Sequence, residues 1–411
     1  MMQLDKTSFP EQLPSGSGKR GDPTKNCASC DCAIQLGSKK LLVPLGLVLY
    51  ANGKINLGPA PTTEWNQDIS PKAQNLIAQP GVHDDPEGEL VDFMLSINCS
   101  EKKNGERVLD KAEIEIRDSE GNPIYHEDLS KPKKRPFHSR EGTPDYLSKG
   151  RHRWQWDGYD DNNILDTAQL KKGKNKILLK ITYNGIQTVC EKQFTCKSPT
   201  DNWETPAYEK TTWIDVKIDK NAKTIDMLWR LHLIPEYDTS TNVDIINLAL
   251  DGVNLHWSRK ITHYLSPNDD YYSVSTTAVN NIKPMSRSFS IYIDETGNSR
   301  SNTILYNIYY DTSTTNLSDR DIFFRHTAAH EIGHLILYRA YTKEVNGQKI
   351  SQTHKGTSTY ITQDTLADSP SYTKTISDLM WYYGTQVELQ YAKAGKEDVR
   401  GAIYLAQLQF N

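Results

Sequence analysis

The sequence predicts a multidomain chain in which an all-β sandwich precedes an α+β domain, and three observations carry that prediction. Between about residues 88 and 194, short runs alternate apolar and polar residues, as in VDFMLSIN (91–98), AEIEIRD (112–118) and HRWQWDG (152–158). Such alternation puts one set of side chains on a single face of each strand. Beyond KSPTDNWETP (197–206), which reads as a linker, strand patterns mix with helical periodicity. The last third contains HTAAHEIGHLIL (326–337), apolar at helical spacing yet carrying two histidines and a glutamate. The expected division is a partly ordered leader or docking segment over 1–85, the sandwich over 86–200 and the α+β domain over 201–411. A chain of 411 residues is long enough for two or three cores.

Within the leader, Pro, Gly, Ser and Lys clusters surround one apolar run, LLVPLGLVLY (41–50), which is too short to span a bilayer and carries Pro44 and Gly46. Little core of its own is expected there. In the sandwich, KILLKITYNGIQTVCEKQF (176–194) reads as a hairpin, because Asn184-Gly185 tolerates the positive φ angles of a tight type I′ turn. Asp157, Asp160 and Asp161 lack the spacing and glycine of an EF-hand and read as turn formers. In the last domain, 213–234 suggests a second hairpin. A helix is expected at 243–258, where Val243, Ile246, Leu250, Val253 and Trp257 recur at helical spacing. Strands follow at 287–294 and 303–310, then the helix carrying the histidines, then a loop-rich stretch ending in a helix at 385–408. Glu344 and Glu388 read as solvated acids.

Six cysteines are present, three of them in CASCDC (27–32). That cluster suits a disulfide set, free thiols, or a metal site lacking a familiar fourth ligand. Cys190 and Cys196 are candidates to pair with each other or with Cys99. The formal net charge of −4 excludes a general electrostatic attraction to nucleic acid. The basic run Lys131–Arg135 is short and reads as a solvated loop.

The helix carrying HTAAHEIGHLIL is expected to begin at Ser318, with Asp321 completing a capping box, and to run to about Tyr341. His330 and His334 then lie about 40° apart around the axis, and Glu331 lies about 60° from His334 on the far side. The pattern HExxH therefore offers two imidazole ligands and a carboxylate placed as general base rather than ligand. The expected cofactor is Zn2+, which lowers the pKa of a bound water and polarises a scissile carbonyl. Glu331 is expected to take the water's proton and return it to the leaving amine. Gly333 in mid-helix costs roughly 1 kcal/mol against alanine, which points to a close approach by something else. His326, one turn before His330, reads as a supporting or packing residue.

Two resemblances extend this reading. GRHRWQWDGYDDNN (150–163) resembles the W-D-G strand and turn of Ig-like modules such as the flagellar hook-cap type, implying an all-β Ig-like sandwich. TAAHEIGHLIL resembles the active-site helix of zincin metallopeptidases, implying an α+β zincin-like domain whose zinc takes a third protein ligand from downstream. The candidates are His354 in THKGTS and Asp378 in SDLMWYY, and both stay open; the metzincin continuation HxxGxxH is absent. SDLMWYY also looks like a methionine turn, with Met380 flooring the site and Tyr382 facing the oxyanion. The blocks HEIGH, HKGTS and DLMWYY together resemble metallopeptidase domains of bacterial type VI secretion effectors.

The function these readings imply is zinc-dependent peptide-bond hydrolysis by an antibacterial effector. It would be cytoplasmic in its producer and delivered, without a classical signal peptide, into a target-cell periplasm. Implied partners are a protein or peptidoglycan-peptide substrate, a cognate immunity protein and a secretion-spike component, with neither nucleic acid nor stable membrane insertion. The alternatives are a cell-wall amide hydrolase with the same chemistry and a binding or adaptor protein with a structural zinc.

Overall fold

The computed structural model describes residues 46–55, 91–98, 102–134, 142–197, 211–236, 244–262, 271–299, 301, 306–313, 316–340, 342–345, 348–351, 379–380, 389–406 and 408–410. The first sheet contains β1 (Gly46–Ile55), β2 (Val91–Asn98), β3 (Lys111–Arg117), β4 (Pro123–Asp128), β5 (Gly150–Trp156), β7 (Lys174–Tyr183), β8 (Ile186–Lys197) and β17 (Leu408–Phe410). Its order is β4-β3-β7-β8-β17-β1-β2-β5, every pairing antiparallel. Strands from opposite ends of that order touch through their rings. Tyr125 of β4 lies 6.0 Å from Trp154 and 6.4 Å from Trp156 of β5, and Phe93 of β2 lies 6.1 Å from Phe194 of β8. The sheet is therefore folded over, its inner faces meeting as two layers around Trp154 and Trp156. Buried Glu127 is satisfied there by Tyr125 Oη (2.7 Å), Trp154 Nε1 (3.2 Å) and the Lys133 amide (2.7 Å).

Local signals in this half follow their chemistry. Asn184 (φ 48°) and Gly185 (φ 76°) turn β7 into β8. Asp160 Oδ1 accepts from the amides of Asn162 and Ile164, both at 2.8 Å, so its carboxylate shapes a turn. Cys190 is half of a disulfide, and Cys196, a buried free thiol, is not its partner. Cys27, Cys30, Cys32 and Cys99 lie outside the described residues.

The segment boundaries expected from composition are crossed by the sheets. β1, inside the stretch read as leader, pairs with β2 over eight residues and with β17 from the far end of the chain. Short β6 (Ile164–Asp166) leaves the sandwich and pairs with β9 (Ile214–Asp219) of the second sheet. The helix after β6, α1 (Thr167–Lys171), reaches the same place, where Lys171 Nζ and Arg230 both pair with buried Asp215. Strand pairing of this kind is set by backbone groups that any residue carries, so composition does not announce it.

The second sheet also contains β10 (Thr224–Pro235), β11 (Arg259–Thr262), β12 (Tyr271–Asn280), β13 (Ser288–Asp294) and β14 (Asn307–Asp311), in the order β11-β12-β10-β13-β14 with β9 beside β10. β9 and β10 form the expected hairpin. However, β12, β10, β13 and β14 run parallel, joined between β10 and β12 by the crossover helix α2 (Ile245–Trp257). Parallel neighbours require such a crossover, so this part is more α/β in character than the strands-then-helix order suggested. A small hairpin, β15 (Thr342–Val345) and β16 (Gln348–Ser351), follows the long helix α3 (Leu317–Ala340), and α4 (Lys396–Leu405) precedes β17. No described helix is long and apolar enough to cross a membrane.

α2 buries a stripe offset from the expected one. Ile245, Ala249, Gly252, Val253, His256 and Trp257 are buried, while Ile246 and Leu250 are half-buried and Val243 lies outside the described residues. The offset arises because α2 packs closely on α3, where small residues fit and bulky ones do not. A Cβ added at Gly252 would sit 2.2 Å from the Arg325 carbonyl oxygen. Trp257 reaches across to β10, its ring 4.8 Å from that of Trp229, and donates through Nε1 to the Ala329 carbonyl of α3 (3.2 Å).

Candidate metal centre

The first turn of α3 departs from the expected capping box. The helix starts at Leu317, and Asn316 Oδ1 accepts from the Ser318 amide at 3.0 Å, making Asn316 the cap. Asp321 instead accepts from Tyr310 Oη at 2.8 Å, tying α3 to β14, where the Tyr310 and Phe324 rings meet edge to face. Ala328, Ala329, Ile332 and Ile336 then bury one side of the helix completely.

On that frame His330, Glu331 and His334 come together, with one ligand atom from each lying within 4.8 Å of the others. Both imidazoles are buried, and their rings stand nearly perpendicular with centroids 4.8 Å apart. His330 Nδ1 lies 2.7 Å from the Leu379 carbonyl oxygen. A carbonyl only accepts, so Nδ1 carries the proton and Nε2 presents its lone pair. That tautomer suits a metal ligand, and the carbonyl orients the ring as outer partners of metal-binding histidines do. Glu331 Oε2 lies 3.9 Å from His334 Nε2, beyond hydrogen-bond reach. The glutamate side chain is more exposed than the histidine's, 12% against 4%.

Gly333 is explained by its neighbours. A Cβ there would lie 2.7 Å from Trp257 Cζ2 and 2.8 Å from Met380 Sδ. Trp257 and Met380, both fully buried, thus close against the helix between the two histidines. Met380 packs against Gly333 of the motif, and Asp378, Tyr382 and His354 lie outside the described residues.

His326 stacks on His330 (6.1 Å, 22°) and meets the His256 ring edge to face at 5.7 Å. Burial, then the neighbouring His330 and His256, push its pKa well below the ordinary range, so it packs as a neutral ring. His256 of α2 is fully buried and donates from Nδ1 to the Ala392 carbonyl (2.7 Å). Burial lowers its pKa to about 4, the bond to Ala392 opposing and the nearby Lys393 and Arg325 adding to that shift. Neither the Leu379 carbonyl nor His256 was visible as a site residue in the sequence. A backbone acceptor has no side-chain signature, and a lone histidine has no spacing.

His330, Glu331 and His334 offer two buried imidazoles, one with its proton on Nδ1, and a carboxylate, donors that could hold a metal ion. No known family model matches this chain, and no curated protein is significantly similar to it.

Proposed function

We propose that the chain is a zinc-dependent metallopeptidase, with His330 and His334 as ligands and Glu331 as general base. The observation that carries this reading is the fixed His330 tautomer beside His334 and Glu331 on one helix. The zinc, when bound, supplies an acidified water and an electrophile for the scissile carbonyl. Glu331 holds the proton that the water gives up and passes it to the leaving nitrogen. His330 is kept from rotating by Leu379, and buried Ala329, Ile332 and Met380 exclude water from behind the ligands. The third ligand stays open between Asp378 and His354, both outside the described residues.

The zincin-like fold, the Ig-like character of the sandwich, delivery by a type VI secretion machine into a rival's periplasm, and a cognate immunity protein remain parts of this proposal. They rest on the sequence blocks HEIGH, HKGTS, DLMWYY and the W-D-G turn. The test is Glu331→Gln. Wild type should hold about one zinc per chain and release products from protein or peptidoglycan-peptide substrates. The variant should keep its zinc and lose roughly 10²- to 10⁴-fold in turnover. Full activity in the variant, or a wild type that takes up no metal, overturns the reading.

A further inference from the structure

A continuous set of hydrogen bonds runs from α2 to His330 without passing through α3 itself. His256 Nδ1 donates to the Ala392 carbonyl (2.7 Å), and the Ala394 amide donates to the His256 carbonyl (2.9 Å). Buried Arg259, just beyond the end of α2, donates from its guanidinium to the Ala394 carbonyl (2.8 Å). The segment 392–394 is thereby tied to α2 at both ends. Between those ties, the Lys393 carbonyl accepts from the Leu379 amide (2.8 Å). The carbonyl of that same Leu379 is the acceptor of His330 Nδ1 (2.7 Å).

We propose that His256 and Arg259 are positioning residues for the metal centre, acting through Ala392–Ala394 and Leu379 to hold the acceptor that selects the His330 tautomer. The physical need is specific. Leu379 lies 49 residues beyond His330 and belongs to no described helix or strand, so neither ladder nor cap fixes its carbonyl. Its amide is held by Lys393, and the residues on either side of Lys393 are held by α2, which is itself rigidly packed at Gly252 and Trp257. A carbonyl displaced by a few tenths of an ångström weakens its bond to the imidazole, and loss of such a partner commonly lowers metal affinity 10- to 100-fold. This inference rests on the metal-centre reading for its consequence, although the tautomer it concerns exists without metal.

The test compares His256→Asn and His256→Gln in the full chain. Asn places its amide donor where Nδ1 was, and Gln places its donor nearer the position of Nε2. Both variants are checked for a native thermal transition. The His330 tautomer is read from ¹⁵N–¹H correlations of histidine-labelled, metal-free protein, and zinc affinity from competition with a chromophoric chelator. His256→Asn should keep Nδ1–H at His330 and zinc affinity within about twofold. His256→Gln should lose the tautomer preference and bind zinc roughly tenfold more weakly. Should His256→Gln fail to fold, Arg259→Lys against Arg259→Met asks the same question through the Ala394 carbonyl, the lysine keeping a donor. The proposal is overturned if the donor-retaining and donor-losing variants behave alike in both readouts. A tautomer that responds in a protein taking up no zinc supports the positioning role and sinks the metallopeptidase reading. Full zinc affinity in every variant does the reverse.

Discussion

Replacing Gly252 with alanine tests how closely the two helices behind the metal centre are packed. An alanine in an ordinary helix position gains about 1 kcal/mol over glycine. At Gly252 the added Cβ would lie 2.2 Å from Arg325 O and 2.8 Å from the carbon and Cα of the same residue. All three are backbone atoms of α3, five residues before His330, and none swings aside as a side chain does. Relief needs about 1 Å of separation between α2 and α3. A gap of that size forfeits a quarter to a half of each dispersion contact along the seam, which includes buried Ala249, Val253, Ala328 and Ala329. Overpacking costs typically 1–3 kcal/mol and more where backbone must move. Taking about 3–4 kcal/mol for a contact that only backbone movement relieves and subtracting the propensity gain, the net loss should be about 2–3 kcal/mol. Gly333→Ala is the graded control, because its nearest neighbours are the ends of Trp257 and Met380. A thioether repacks readily, so its net cost should be about 0–2 kcal/mol. Urea unfolding followed by tryptophan fluorescence, which senses Trp229 and Trp257, gives the ordering. A Gly252→Ala midpoint equal to or above wild type, or above that of Gly333→Ala, would refute the backbone contact.

Two further outcomes follow from the same structure. Asn316→Ala should destabilise by about 1 kcal/mol through loss of the cap on α3, and exposed Ser318→Ala should change stability by only a few tenths; equal effects in chemical denaturation would mean the cap is misplaced. For pH, His256 has a pKa of about 4 folded against an ordinary 6.5, so the unfolded chain binds a proton in that window that the folded chain refuses. Stability from this group is therefore complete above pH 6.5 and is lost as pH falls towards 4, by about 3 kcal/mol in total. His256→Asn should flatten the corresponding part of a stability-versus-pH curve, and an unchanged slope would contradict the burial of a neutral imidazole.

What was legible in the sequence is what short range controls. HEIGH places two imidazoles and a carboxylate together because helical spacing alone does so, and Asn184-Gly185 turns because those residues tolerate positive φ. The mid-helix glycine was a visible anomaly, and the structure supplies its cause in Trp257 and Met380. The cap was misread by two residues because Ser318 and Asn316 are both good caps, and only the docking of Asp321 on Tyr310 separates them.

Other features lay beyond any local pattern. β1 and β17 meet from opposite ends of the chain, and β10 runs parallel to partners that a hairpin reading cannot supply. The acceptor that orients His330 is a backbone carbonyl 49 residues away, in a residue whose amide donates to Lys393, next to the Ala392 that His256 bonds. Residue types and their spacing determine which groups one helix or turn can present. Carbonyls, amides and sheet neighbours are common to every residue, so which of them meet is decided only when the whole chain packs.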